Sequence, residues 1–379
     1  MRIGILSLTL HTNYGGIMQS YALQTILENM GHTVIILDKD RNLYKGRLRQ
    51  SLSYLKYILL KYVFRKDVIY YNLRKLDMQR REREQYTQRF INKYLHRRII
   101  RNIRPGVFND VDAIVVGSDQ VWRPLYFVDQ WQIGIEQAYL QFAASYNIKR
   151  IAYAPSFGSD EWEYSEEDTK KCMKLLQKFN SVSVRESSAI NLCQKNLSRK
   201  DVKQVLYPTL LLSKKDYISI IENANPDKSL GNMLCYILDY SDEKSTFVKM
   251  VAKERHLEPF YSNSQVENNL APQEKRIQPP LEQWLRGFMD AKFVVTDSFH
   301  ACVFSIIFEK PFVAIANKER GMTRFESFLS MFSLEKNLLY SINDYDSSCT
   351  YEISPRVKKM IKEYRETSIE FLQKSLQNE

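Results

Sequence analysis

The chain reads as an α/β protein of two domains, each wound around a parallel sheet. Three observations predict this. Short apolar runs recur along the sequence, separated by amphipathic stretches of helix length, the pattern of strands buried on both faces. A polar stretch, "NANPDKSLGN" (residues 223–232), divides the run of alternation like an interdomain linker. At 379 residues the chain is also too long for one ordinary core.

The elements follow in order. "MRIGILSLTL" runs into a Gly-Gly turn with no small-residue cleavage site, so residues 3–7 are expected to be a first strand and not a signal segment. A helix over 17–30 places Met18, Ala22, Leu23, Ile26, Leu27 and Met30 on one face and stops at Gly31, a favourable C-terminal cap. Further strands are predicted at 34–37, 113–116, 150–154, 182–184 and 202–206. A second series has strands at 234–238, 293–295 and 312–315, with helices over 242–255 and after His300. The expected domains are 1–222 and 233–355, followed by a C-terminal helix at 356–379. A ligand is expected in the cleft between the halves, at the C-terminal ends of the strands.

Composition narrows the function classes. With 44% hydrophobic and 26% charged residues the chain is neither disordered nor fibrous, and it has no apolar run long enough to span a membrane. Its five cysteines are scattered, with no Cys-x-x-Cys pair, which argues for reduced thiols and against a zinc site. The net charge of +11 is concentrated: residues 45–104 hold 18 Lys/Arg against four acids, an excess of +14 that leaves −3 for the remainder. This segment is expected to be a helical insertion in the first domain. Tyr54, Tyr57, Ile58 and Lys61 share one helical side, and Leu73, Leu76 and Arg80 another. Such a surface suits an anionic membrane, with Arg80, Arg81, Arg97 and Arg98 among its charges; a solvated cover over a core is the alternative. Nucleic acid is disfavoured, because no nucleic-acid-binding motif accompanies the charge.

Five segments sit where a cleft ligand would be met. "HTNYGGIMQSYALQ" (11–24) lets backbone N–H groups at Gly15 and Gly16 approach a ligand at a helix start, with Asn13 and Gln19 beside them; it lacks Gly-x-Gly-x-x-Gly and is no dinucleotide fingerprint. A tight turn without a ligand is the plainer reading. "VVGSDQVWRP" (115–124) ends a buried strand with Ser118, Asp119 and Gln120. "YAPSFG" (153–158) and "SVSVRE" (181–186) repeat the pattern. Arg185 is able to hold a phosphate or carboxylate at two points, or else to pair with Glu186. "TDSFHACVFSIIFEKPF" (296–312) sets Ser298 and His300 at a helix start, where a histidine either meets an anionic ligand or simply caps. "NKERGMTRF" (317–325) adds Arg320 and Arg324 on one helical face. Asp119 and Asp297 are candidate proton acceptors, while His32, His96 and His256 lie away from these turns.

Taken together, "NYGGIMQSYALQ", "GSDQVWRP", "SVRE", "YPTLLL" and the His300 segment resemble the polysaccharide pyruvyl transferase family, from residue 2 to about 332. The resemblance implies two Rossmann-like domains in a GT-B-like arrangement. It implies transfer of pyruvate from phosphoenolpyruvate onto two hydroxyls of a sugar as a cyclic ketal, with phosphate released, in exopolysaccharide or capsule synthesis. The acceptor would be a lipid-linked or nucleotide-linked sugar and the site cytoplasmic, with peripheral contact at the inner membrane face. No metal and no cofactor besides the donor are expected. His300 and Arg185 carry over. Where some members have Arg-Leu-His, this chain has Ser298-Phe299-His300, so Arg320 or Arg324 would replace the missing arginine; and Tyr207 stands where an Asp often precedes Pro-Thr. Rival readings are a GT-B glycosyltransferase using a nucleotide sugar and a non-catalytic carbohydrate or membrane-surface adaptor.

Overall fold

A computed structural model describes residues 1–43, 46–67, 72–317 and 321–377. The first sheet is wholly parallel: β1 (Arg2–Leu6), β2 (Thr33–Lys39), β3 (Arg97–Ile100), β4 (Ala113–Val116), β5 (Lys149–Ala152), β6 (Ser181–Val184) and β7 (Val202–Gln204), in the order β3-β2-β1-β4-β5-β6-β7. The second contains β8 (Met233–Tyr236), β9 (Pro259–Phe260), β10 (Phe293–Thr296), β11 (Phe312–Ile315) and β12 (Leu338–Leu339), in the order β12-β11-β10-β8-β9, again parallel. Helices α1 (Tyr14–Asn29), α2 (Arg47–Ile58), α3 (Leu73–Tyr94), α4 (Pro124–Trp131), α5 (Glu166–Leu176), α6 (Ser187–Leu197) and α7 (Lys214–Ala224) belong to the first half of the chain. The second half contributes α8 (Asp242–Glu254), α9 (Leu281–Asp290), α10 (Phe299–Ile307), α11 (Met322–Met331) and α12 (Pro355–Leu376). These are two Rossmann-like domains in a GT-B-like pair. The central strands are buried at every position because helices cover both faces, as in β4 (Ala-Ile-Val-Val) and β10 (Phe-Val-Val-Thr).

One apolar core runs through both domains. Ile3, Ile5 and Met18 of the first are continuous with Leu234, Trp284 and Phe304 of the second. At the seam the Tyr14 hydroxyl donates to the Pro279 carbonyl at 2.6 Å, and its ring lies 5.1 Å from that of Trp284. The last helix crosses back: Ser368 Oγ accepts from Leu206 N at 2.9 Å and Arg365 Nε donates to the Leu210 carbonyl at 2.7 Å. Thus α12 packs on the first domain, where the sequence alone showed only a terminal helix.

Three expectations are corrected. Helix α1 starts at Tyr14, three residues early, because Asn13 caps it by accepting from Gly16 N at 3.2 Å; both glycines therefore lie inside its first turn. Residues 97–100 are not helical but form the edge strand β3, paired in parallel with β2. Their basic composition concealed a strand whose charges are internally matched: Arg97 meets Asp38 at 2.9 Å and Arg98 meets Asp110 at 2.7 Å. The insertion is also not one basic surface. Helix α3 buries Phe90 and Ile91, and its Arg80 pairs with the buried Asp77 and Glu84, each at 3.3 Å. By contrast, nothing in residues 50–67, which hold most of α2 and the π-helical turn after it, is buried.

Trp284 is fully buried between Tyr14, Phe288 and Phe304, with ring separations of 5.1, 5.0 and 4.7 Å. Trp284→Ala is expected to cost about 3–5 kcal/mol, the usual range for emptying a large aromatic site. A urea midpoint within experimental error of the wild type would show that the two domains do not depend on this seam.

Candidate functional site

The loops after β1, β4 and β10, together with the start of α11, meet in a cleft of about 630 Å³ between the domains. His11, Asn13, Gly15, Asp119, Gln120, Ser298, His300 and Arg324 all line it.

The central group is Asp119, three residues past β4. It is buried and held in the left-handed region at φ 61°, its carbonyl accepting from Ser156 N at 2.8 Å. Three cationic or ionisable groups surround its carboxylate at distances too long for hydrogen bonds: Arg185 Nη1 at 3.5 Å, Arg324 Nη1 at 3.8 Å and His300 Nε2 at 3.9 Å. Its Oδ1 has no hydrogen-bond partner among the described residues, and neither do Nη1 and Nη2 of Arg185. Burial pushes the Asp119 carboxyl up, but His300, Arg185 and Arg324 together outweigh it and hold the group below the usual carboxylate range.

His300 comes from the other domain, in the first turn of α10. Its Nδ1 lies 3.2 Å from the Tyr207 hydroxyl, and the two rings stack with centroids 5.6 Å apart. The Tyr207 hydroxyl also donates to the Gly15 carbonyl at 3.4 Å, so the direction of its bond with Nδ1 follows the tautomer of the ring, while Nε2 faces the Asp119 carboxylate at 3.9 Å. The ring leans on the first domain's glycine turn so closely that a Cβ on Gly15 would fall 2.0 Å from its Cδ2. Burial, reinforced by the two arginines and opposed by Asp119, pulls the imidazole down to about 4. His300 is therefore neutral in the empty site at pH 7.

Arg185, one residue past β6, has its guanidinium 4.8 Å from the Phe299 ring and 5.2 Å from that of Tyr207, and its Nε 3.3 Å from Glu186. It stands behind Asp119 and does not form part of the cleft wall. Arg324 is buried as well, its guanidinium 5.4 Å from the Phe299 ring, and burial beside Arg185 lowers it to about 10. Phe299 thus takes contacts from both guanidiniums at the position between Ser298 and His300.

Other residues are placed differently from the way their sequence positions suggested. Gln19 and Ser118 are fully committed inside the fold: Gln19 Oε1 accepts from Ser118 N at 3.0 Å, its Nε2 donates to Ser7 Oγ at 3.0 Å, and Ser118 Oγ donates to the Ala154 carbonyl at 2.8 Å. They brace the loop that aims Asp119. Gly16 is held by the Asn13 cap and does not reach the cleft wall. Asp297 accepts from Leu238 N at 2.6 Å, Asp239 N at 3.1 Å and Lys244 Nζ at 2.7 Å, so it anchors the β8–α8 loop. Arg320 lies outside the described residues. Tyr207 and His11 were missed as site residues, although each belongs to a quoted motif. His11 lines the cleft, and burial, with Arg41 adding to it and Asp119 opposing, takes it down to about 3.

The opposite end of the cleft has a different character. Asp239, Asn263, Gln265, Glu267 and Asn268 line it with Tyr240, whose ring lies 6.3 Å from that of Tyr261; both tyrosines are about half exposed. Among the described residues no group of three or more His, Cys, Asp or Glu side chains is arranged to hold a metal.

A family model described as polysaccharide pyruvyl transferase matches residues 13–319. No curated protein matches the sequence. Solved structures similar to the chain include sucrose-phosphate synthase from Thermosynechococcus elongatus, at 10% identity and TM-score 0.48, covering 99% of this chain and 98% of the other. UGT89C1 of Arabidopsis thaliana complexed with UDP-L-rhamnose is similar at 9% identity and TM-score 0.46, covering 97% and 94%. UDP-GlcNAc 2-epimerase from Neisseria meningitidis, bound to UDP-GlcNAc, is similar at 12% and 0.44, covering 99% and 100%.

The depressed His300 value has a measurable consequence. Between its free value near 6.5 and about 4, the unfolded chain takes up a proton that the folded site refuses, so stability falls as pH drops through that window. His300→Gln is expected to remove this share, on the order of 2 kcal/mol between pH 7.5 and 5. Chemical denaturation of both proteins at the two pH values checks it; an unchanged pH dependence would mean that the imidazole is solvated.

Proposed function

The chain belongs to the polysaccharide pyruvyl transferase family, and on that premise we propose that it moves pyruvate from phosphoenolpyruvate onto two hydroxyls of one sugar as a cyclic ketal. The observation that carries this reading is the cluster of Arg185, Arg324 and His300 around a single carboxylate, all within 3.9 Å and none hydrogen-bonded to it. Two guanidiniums and an imidazole gathered at one buried carboxylate suit a small, highly charged anion.

In this reading the donor's phosphate and carboxylate enter beside Arg324 and His300. Their charge raises the proton affinity of His300, so the imidazole that is neutral in the empty site becomes the acid. It delivers its proton to the methylene carbon, the double-bond electrons form the new C–H bond, and positive charge develops at C2. The first sugar hydroxyl bonds to C2 and returns a proton to His300. The C2–O bond to phosphate then breaks, its electron pair leaving with phosphate, and the second hydroxyl closes the ketal as its proton goes to that phosphate. Asp119, held below the usual carboxylate range, is a weak base; it orients the imidazolium and balances its charge. Tyr207 holds the imidazole in place through Nδ1. Donor and acceptor separate by chemistry. The end with carboxylates, amides and the Tyr240 face repels phosphate and suits a neutral sugar ring. The sugar is carried on a nucleotide or a membrane lipid, in the cytoplasm or at the inner membrane face.

Incubation with phosphoenolpyruvate and a panel of nucleotide-linked and lipid-linked sugars is expected to release inorganic phosphate and give a product heavier by one pyruvyl ketal. Release of a nucleotide instead would favour the glycosyltransferase reading. His300→Ala should lower turnover by about a hundredfold or more while the protein stays folded, the scale of losing an acid-base group; near wild-type rates would remove His300 from the mechanism.

Arg185→Lys replaces a stacked planar fork with a point charge behind Asp119, and so acts on the donor through the position of that carboxylate. It should raise KM for phosphoenolpyruvate several-fold more than KM for the sugar. Equal changes in both would count against a donor-side role.

A further inference from the structure

The α2 helix and the π-helical turn that continues it (Leu59–Val63) present an apolar stripe to solvent. Leu52, Leu55, Leu59, Tyr62, Val63 and Phe64 are each between 44% and 68% exposed. The first five follow helical spacing along one side, while Tyr57, Ile58 and Leu60 on the other side are partly covered. This inverts the usual arrangement, in which the outward side of a surface helix is polar and the apolar side faces the core. Flanking the stripe, Lys56, Lys61, Arg65 and Lys66 are exposed, and from Arg41 to Lys66 the sequence has eight Lys/Arg and no Asp or Glu.

We propose that this stripe docks on an anionic phospholipid bilayer, its leucines entering the headgroup boundary and its lysines and arginines lying over the lipid phosphates. Charge selects the occupant. A second copy of the chain would bring the same unrelieved positive charge against itself, and nucleic acid would leave the leucines uncovered. A lipid surface satisfies both features. The neighbouring α3 does not share the role, because its Arg80 is matched by buried acids and its apolar side is taken up by the core. The surface is independent of the donor chemistry, since vesicle binding requires no turnover.

The test is co-sedimentation of the full chain with phosphatidylglycerol–phosphatidylcholine vesicles and with phosphatidylcholine alone, at low and high salt. Binding is expected only to the anionic vesicles and should fall at least tenfold at high salt, where the Debye length shrinks from roughly 10 Å at 0.1 M to 3 Å at 1 M. Two variants, each at exposed positions where refolding is not at stake, should each lower partitioning at least tenfold: Leu55→Asn with Leu59→Asn and Val63→Asn, and Lys56→Glu with Lys61→Glu, Arg65→Glu and Lys66→Glu. Phosphate release on a soluble acceptor should be unchanged in both. Wild-type protein that stays in the supernatant at low salt would overturn the proposal. So would an apolar variant that binds as well as wild type, or one whose only change is loss of self-association without vesicles.

Discussion

The structure turns on one buried carboxylate that the two domains share. Asp119 and Arg185 come from the ends of β4 and β6 in the first domain, His300 and Arg324 from α10 and α11 in the second, and the other three side chains come within 3.9 Å of the Asp119 oxygens. A buried charge is tolerated only when opposite charge stands near it. This makes the relative position of the domains an electrostatic requirement as well as a packing one. The continuous apolar core through Trp284 and the returning α12 hold the halves at the spacing that the cluster needs.

The same cluster explains why neighbouring residues are what they are. Gly15 is bare because the His300 ring occupies the space of a side chain. Tyr207, in the position where an acid would have competed for the imidazole, supplies a neutral hydroxyl to Nδ1 and leaves Nε2 for the cleft. Phe299 gives both guanidiniums an aromatic surface, which offsets part of the cost of holding two like charges close. The cleft lining is uneven: Arg324 and His300 stand with Asp119 in one part of it, and Asp239, Glu267, amides and Tyr240 make up another.

The basic segment shows how little a charge count says about a surface. Its +14 excess is divided in space: Arg80 of α3 and Arg97 and Arg98 of β3 are matched by Asp77, Glu84, Asp38 and Asp110, whereas α2 keeps Lys56, Leu52 and Leu55 outward. Helical periodicity marks the apolar side of α2 but cannot say which way that side points, because orientation depends on what the helix packs against.

Much of the fold was legible in the chain itself. Apolar runs such as residues 113–116 and 293–295 signal strands covered on both faces, and the strand-to-helix turns around Gly15, Asp119, Arg185 and His300 mark the cleft, because local sequence governs where a parallel strand ends and a helix begins. The strands β3, β9 and β12 were not legible: two are only two residues long, and the third hides its apolar character behind paired arginines. The site was legible as a set of residues but not as an arrangement. That Gln19 and Ser118 brace a loop, that Arg185 stands behind Asp119, and that Arg324 comes to the cluster while Tyr207 and His11 join its surroundings all depend on contacts across tens to hundreds of residues. The sequence by itself determined the secondary elements, the two-domain α/β class and the residues able to bind an anion. Only the tertiary structure decided which of them meet, because burial and charge pairing belong to groups brought together from distant parts of the chain.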